Sequence, residues 1–373
     1  MIINYHRKVH FWLTTFLFVS VALPIAASLS GQPIRNVVIV GGTHGNEYTG
    51  VWCIKAIENS PLKDFPSLEI STLLGNPQAH LENKRFIHSD LNREFTEDKL
   101  TVGEEGLPLT VESLRAREVD MILGPKFGSE RHRTTDVVVD LHSTTANMGT
   151  TLIIPEGDVI MAQAAAYVMH KCGGQNGEVR SLLHSMPKRE HRPNLSSTAR
   201  HGFTVEVGPV PQGVLRHDAV EKTQLAVSYF LEFLQMRNSG QDMMALLQKF
   251  YPNNRVPCFR SAPAKREGEI SGKITWPSDP ENPNFPAVMV HKSLQDRDFH
   301  IIRKGEPLFI TLDGSTINYD GSHGDEVYLI FVNEGGYYYK SSGTGIGVAV
   351  ASEFSLEDGK LIEHVLPLSA HTK

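Results

Sequence analysis

His44 and Glu47 follow an apolar run that ends in two glycines: VVIVGGTHGNEYTG, Val37 to Gly50. A neutral imidazole nitrogen and a carboxylate oxygen are both good zinc donors. The glycines let the backbone take the unusual dihedrals that turn both side chains to one side of a tight loop. The same turn suits a phosphate poorly. A dinucleotide loop needs GxGxxG, and here Gly41-Gly42 is followed by Gly45. A P-loop needs lysine after its last glycine, and Val51 follows Gly50. With 17 histidines in the chain, an HxxE pair alone arises readily by chance.

A third donor comes from VVVDLHSTTANMG, where His142 stands at the end of a buried-strand pattern. Two histidines and one glutamate leave a position open for water, as in a catalytic rather than a structural zinc site. Alone, His142 reads as a hydrogen-bonded residue at a strand edge. FTVEVGPVPQG places Glu206 inside an apolar strand, its neighbours Val205 and Val207 pointing the other way. A carboxylate there is costly unless paired or used. It suits either a structural partner for an arginine or general-base work. KRFIHSDLNREF clusters Arg85, Asn92 and Arg93 with Asp90. Arginine grips carboxylates bidentately and stabilises an oxyanion without losing its charge. Each residue alone also fits a surface loop.

The elements that must position these groups alternate. IRNVVIV, LEISTLLGNP, TDVVVDLH and FTVEVG read as strands. VWCIKAIEN, VESLRAREVDMILG, VIMAQAAAYVMHKCGG and the segment from Asp218 to Gly240 read as helices. This predicts an α/β domain over 31–240 with a mainly parallel sheet and its site at the carboxyl ends of the strands. After Gly240, prolines and glycines become frequent and the patterns turn strand-like, so 241–373 reads as a smaller β-rich domain. No internal repeat stands out.

The remaining 30 residues are of another kind. Arg7 and Lys8 precede an apolar stretch, 11–27, that ends in small residues. That is the pattern of a secretory signal, or of a short uncleaved anchor that would associate the chain with a membrane. A secretory or membrane location follows if it acts so, and a cytoplasmic one otherwise. The net charge of −6 and the lack of a long basic run argue against nucleic acid as a partner. Three scattered cysteines argue against a disulfide framework and against cysteine-ligated zinc. The chain is compatible with a homo-oligomer.

Taken in order, GGTHGNEYTG, NPQA, SDLNREF, ILGPK, DLHSTTANMGTTLI, VEVGPVPQGVLR, LQDRDF and FVNEGGYYYK resemble the aspartoacylase and aminoacylase-3 group of the zinc-carboxypeptidase-like superfamily. The likeness runs from about Ile34 to Lys340. It implies a zinc-carboxypeptidase-like fold, mixed and mainly parallel, with the β-rich C-terminal domain capping the site. It implies one zinc per subunit held by His44, Glu47 and His142, and Glu206 as the general base. Arg85 would polarise the acyl carbonyl, Asn92 and Arg93 would hold an α-carboxylate, and Tyr337 would touch the substrate. The implied activity is hydrolysis of small N-acyl-L-amino acids to a carboxylate and a free amino acid.

There is one departure. Aspartoacylase holds the substrate's side-chain carboxylate with an upstream tyrosine and arginine. Counted back from Glu206 without a gap, these positions fall on Arg192 and Ser196. Arg189 and Arg192 remain as substitute cations, and strict N-acetylaspartate specificity is not expected. A carboxypeptidase and a catalytically dead, tethered binding module are the competing readings. The NEGGYYYK tail argues against the first, and the complete set of donors and base against the second.

Overall fold

The computed structural model describes residues 32–362, apart from 102–108, 130–132, 174–178, 185–187, 266–270, 278–285 and 339–343. The apolar segment 11–27, with its expected membrane association, lies outside the described residues. Among those described, no helix is long and apolar enough to cross a membrane. Residues from Ile34 onward form one compact unit.

β1 (Asn36–Gly41) leads through a short turn to α1 (Tyr48–Asn59), then β2 (Glu69–Leu74) and α2 (Pro77–Leu81). α3 (Glu97–Thr101) and α4 (Val111–Leu123) precede β3 (Val137–Ser143) and β4 (Gly149–Pro155). α5 (Val159–Lys171), β5 (Val179–His184), β6 (His201–Gly208) and α6 (His217–Asn238) complete the α/β part. α7 (Met243–Leu247) opens the β-rich part, with β7 (Arg255–Ser261), β8 (Lys273–Ile274), β9 (Val288–Val290) and β10 (His300–Arg303). β11 (Pro307–Thr311), β12 (Thr316–Asn318), β13 (Glu326–Ile330), β14 (Ile346–Ser355) and β15 (Leu361–Ile362) follow.

The main sheet runs β10-β13-β14-β7-β5-β4-β6-β3-β1-β2. In the α/β part the pairs are parallel except where β4 runs against β6. The sheet therefore is mixed and mainly parallel there, flanked by helices. The strands after Gly240 continue it, because β7 lies parallel on β5 with Leu182 opposite Phe259. β8 and β15 pair with β14 at its side, and β12-β11-β9 form a separate small sheet.

Strand alternation decides which side chains reach the site. Val37 and Ile39 of β1, with Val137, Val139 and Leu141 of β3, enter the core under α1, α5 and α6. So do Phe203, Val205 and Val207 of β6. Val38, Val40 and Val138 enter a second core with α4 on the opposite face. By the same period of two, Asp140, His142 and Glu206 stand on that second face, just beyond its apolar end. Each fully buried valine or phenylalanine is worth roughly 1.5–3 kcal/mol, which makes a slip of register, and with it a misplaced His142, expensive.

Candidate active site

The first turn of the site depends on glycine at two points. Gly42 sits at φ +70°, a conformation side chains rarely adopt. Gly45 lies so close to the next segment that a Cβ would come within 2.1 Å of the Ala79 carbonyl carbon. The turn is thus folded tightly against α2, and its two remaining functional groups converge. His44 Nδ1 lies 2.6 Å from Glu47 Oε1, and His142 Nδ1 lies 2.9 Å from Glu47 Oε2. The backbone N–H of Ser143 donates to the same Glu47 oxygen at 3.0 Å. Donor atoms of His44, Glu47 and His142 all fall within 4.8 Å of one another, and all three side chains are buried.

Both imidazoles present Nδ1 to the centre and are held from behind by carboxylates. His44 Nε2 meets Asp90 Oδ1 at 3.1 Å, and His142 Nε2 meets Asp140 Oδ2 at 2.9 Å. Asp140 in turn accepts the Thr43 hydroxyl at 2.7 Å. Carboxylates behind metal-binding histidines set the tautomer and ring angle and raise ligand basicity. Glu47, Asp90 and Asp140 thus bring three carboxylates together in a buried space. Arg85 reaches Glu47 at 3.1 Å and Asp90 at 3.5 Å. Three carboxylates, with the Arg85 and Arg93 guanidiniums beside Asp90, still leave a net negative charge that burial makes costly and that a divalent cation would balance. The donor types, the inward Nδ1 atoms and the charge therefore fit a metal ion.

The electrostatics point the same way. Burial opposes the charge on Glu47, but the His44 and His142 imidazoles hold its carboxyl below the usual range. Burial likewise opposes the charge on Arg85, yet Asp90, Glu47 and Glu334 keep its guanidinium firmly protonated. Glu206 goes the other way. Burial, reinforced by Glu47 and Glu334, lifts its carboxyl well above the ordinary value, against the pull of His142 and Arg85. It sits directly across from His142 in the β3–β6 register.

All eight residues singled out from the sequence line one cleft: His44, Glu47, Arg85, Asn92, Arg93, His142, Glu206 and Tyr337. Asn92 is oriented from two sides. Its Oδ1 accepts Leu195 N–H at 2.9 Å, and its Nδ2 lies 3.2 Å from His142 Nε2. Arg93 is turned by a bond from its guanidinium to the Asn92 carbonyl. Tyr337 arrives from the β-rich part, edge-on to Phe331, with Lys273 Nζ 3.4 Å from its ring centre. The Arg85 Nε–H is buried and has no hydrogen-bond partner in the structure.

Several contributors were not singled out from the sequence. Asp140 stands two residues before His142 in an otherwise apolar strand, a signal as strong as that of Glu206. Glu334 docks the loop bearing Tyr337. It accepts the Thr144 hydroxyl, Thr145 N–H at 2.9 Å and Gly336 N–H at 2.7 Å, and pairs with Arg85 at 3.6 Å. His184 and Lys273 also line the cleft, and nothing in their spacing marks them. The outer carboxylates generate a prediction. Asp140→Asn should weaken metal binding about 10- to 100-fold, read by competition with a chromogenic chelator. Unchanged affinity would remove Asp140 from this role.

Comparison with known proteins gives the family. Residues 33–234 match the family model described as "Succinylglutamate desuccinylase/Aspartoacylase catalytic domain", and 269–344 match the "AstE/AspA barrel-sandwich hybrid domain". The chain is 36% identical over 312 residues to an aspartoacylase of Danio rerio, covering 83% of this chain and 90% of that one. It is 33% identical over 309 residues to an N-acyl-aromatic-L-amino acid amidohydrolase (carboxylate-forming) of Xenopus laevis, covering 83% and 92%. The crystal structure of murine aminoacylase 3 superposes with a TM-score of 0.73 at 29% identity, over 89% of this chain and 99% of that one. With its catalytic-domain match spanning the whole His44–Glu206 constellation, the chain belongs to the succinylglutamate desuccinylase/aspartoacylase family.

Proposed function

We propose that the protein is a zinc-dependent amidohydrolase that cleaves N-acyl-L-amino acids into a carboxylate and a free amino acid. The observation that carries this is the buried His44–Glu47–His142 cluster with Glu206 opposite it and Arg85 beside it in one cleft. His44 and His142, through Nδ1, and Glu47 would hold one zinc ion per subunit. When bound, zinc is a Lewis acid that brings the pKa of water down to about 7. The relatives named for hydrolysis of N-acyl amino acids support the substrate class.

The chain's own groups divide the remaining work. Glu206 takes the proton of the attacking water and returns it to the amide nitrogen, so that the amine leaves neutral. A carboxyl whose proton affinity burial raises is suited to both transfers. Arg85 directs its guanidinium at the acyl oxygen and stabilises the charge that develops there. Asn92 and Arg93 hold the α-carboxylate, which favours a small amino-acid substrate over an interior peptide bond. Tyr337, brought by the β-rich cap, closes the substrate side. Chelation should abolish activity and zinc restore it. Glu206→Gln should keep the metal but lose at least about 10²-fold in kcat. Loss of the metal itself in that variant would make Glu206 a ligand.

Side-chain preference follows from what is missing. Ser196 is buried, and its hydroxyl is engaged by Asn194 Nδ2 at 2.7 Å. The Arg189 guanidinium donates to the carbonyls of Ser197, Thr198 and Lys126. Arg192 is buried, and none of the three is among the cleft-lining residues described. Loss of a charge-assisted bidentate contact is worth roughly 1.5–3 kcal/mol, or about 10- to 100-fold in kcat/KM. N-acetylaspartate should therefore not exceed N-acetyltyrosine by more than about 100-fold in kcat/KM. A larger preference would show that another cation serves as the clamp.

A further inference from the structure

Lys126 is a fully buried charged side chain that the mechanism above does not use. It follows α4 directly, is 0% exposed, and donates from Nζ to two carbonyls, Phe95 O at 2.6 Å and Arg192 O at 2.5 Å. Burial, with the Arg189 and Arg192 guanidiniums nearby, pushes its pKa down to about 7, and the two carbonyl acceptors favour its charged form. Its own backbone is pinned as well. Lys126 N–H donates to Asp120 Oδ1 at 2.9 Å, and Lys126 O accepts from Arg189 at 2.8 Å. The head group is thus held at a fixed point between two separate loops.

Those loops are the ones that shape the α-carboxylate end of the cleft. Phe95 lies two residues after Arg93. Arg192 begins the segment whose Asn194 lines the cleft and whose Leu195 N–H fixes the Asn92 carboxamide at 2.9 Å. The loops also meet directly, through Phe95 N–H to Pro193 O at 3.1 Å. Without Lys126, that neutral bond and the Leu195–Asn92 bond would carry the registration of one loop on the other.

We propose that Lys126 is a positioning residue for substrate recognition: its ammonium staples the 91–95 loop to the 192–195 segment, and so sets Asn92 and Arg93 to receive the α-carboxylate. This rests on the N-acyl amino acid reading given above. Lys126 is not among the described residues that line the cleft. Its effect reaches the substrate through two backbone carbonyls, so its loss should be felt where the α-carboxylate binds, not at the His44–Glu47–His142 centre. A residue that merely filled the core would, when replaced by an apolar group of similar length, lower stability and leave the kinetic constants of the folded enzyme alone.

The test uses the full-length, zinc-loaded protein. Wild-type turnover of a panel of N-acyl amino acids comes first. Turnover of none would sink the functional reading, and the staple with it. On the best substrate of the panel, Lys126→Met should raise KM at least about 10-fold with kcat within a few-fold and zinc content unchanged, because uniform binding of the α-carboxylate is what weakens. Lys126→Arg, which keeps the charge and donors, should recover part of the lost affinity and covers the case in which the methionine variant does not fold. An unchanged KM in a folded variant, with only the melting temperature lowered, would overturn the proposal. So would a fall in kcat that tracks loss of zinc.

Discussion

The Glu47 carboxylate is the interaction on which the site depends. One oxygen faces His44 and Arg85, and the other faces His142 and the Ser143 N–H. It therefore joins the β1–α1 turn, the end of β3 and the segment carrying Arg85. Its own place is set by backbone economy: the turn from Gly42 to Gly45 leaves no room for side chains at its tightest points, so α1 starts at once and Glu47 precedes its first residue. Removing that compactness would move together His44 and Glu47, two of the three groups that could hold a metal.

Around this centre the charge is arranged in layers. Carboxylates behind the imidazoles make the middle electronegative, which calls for a cation. Arg85 and Glu334 then balance one another at the boundary between the α/β part and the β-rich part. Glu334 holds its loop through backbone donors and two threonines of the segment after β3. The cap that delivers Tyr337 is therefore anchored to the same strand end that delivers His142. Closing the cleft with a second region narrows what can enter, in keeping with small N-acyl amino acids rather than polypeptides.

Much of this was legible in the sequence because it rests on local rules. Apolar runs placed β1, β3 and β6, and alternation set Glu206 apart from Val205 and Val207; that His142 lies across from it comes from the β3–β6 register. Long chemical motifs supplied Arg85, Asn92, Arg93 and Tyr337. What could not be read was whatever depends on distant pairing. TTLIIP and VRSLLH are apolar enough for strands, but nothing local says that β4 runs antiparallel beside β6 or that β5 links the sheet to β7. The roles of Asp90, Glu334 and Lys126 were hidden for the same reason. Each acts on a partner tens of residues or more away: Asp90 on His44, Glu334 on Thr144 and Arg85, Lys126 on Phe95 and Arg192. The apolar stretch at 11–27 is read from composition alone and lies outside the described residues.

The central claim is that one metal ion sits between the two inward imidazole nitrogens and Glu47. Anomalous diffraction across the zinc absorption edge, on crystals of the zinc-loaded protein, tests it most directly. The account predicts one peak per chain, bound by Nδ1 of His44, Nδ1 of His142 and the Glu47 carboxylate, with Asp90 and Asp140 still behind the rings. A peak on the Nε2 side of either ring, or zinc held elsewhere with these three residues still paired to one another, would contradict it.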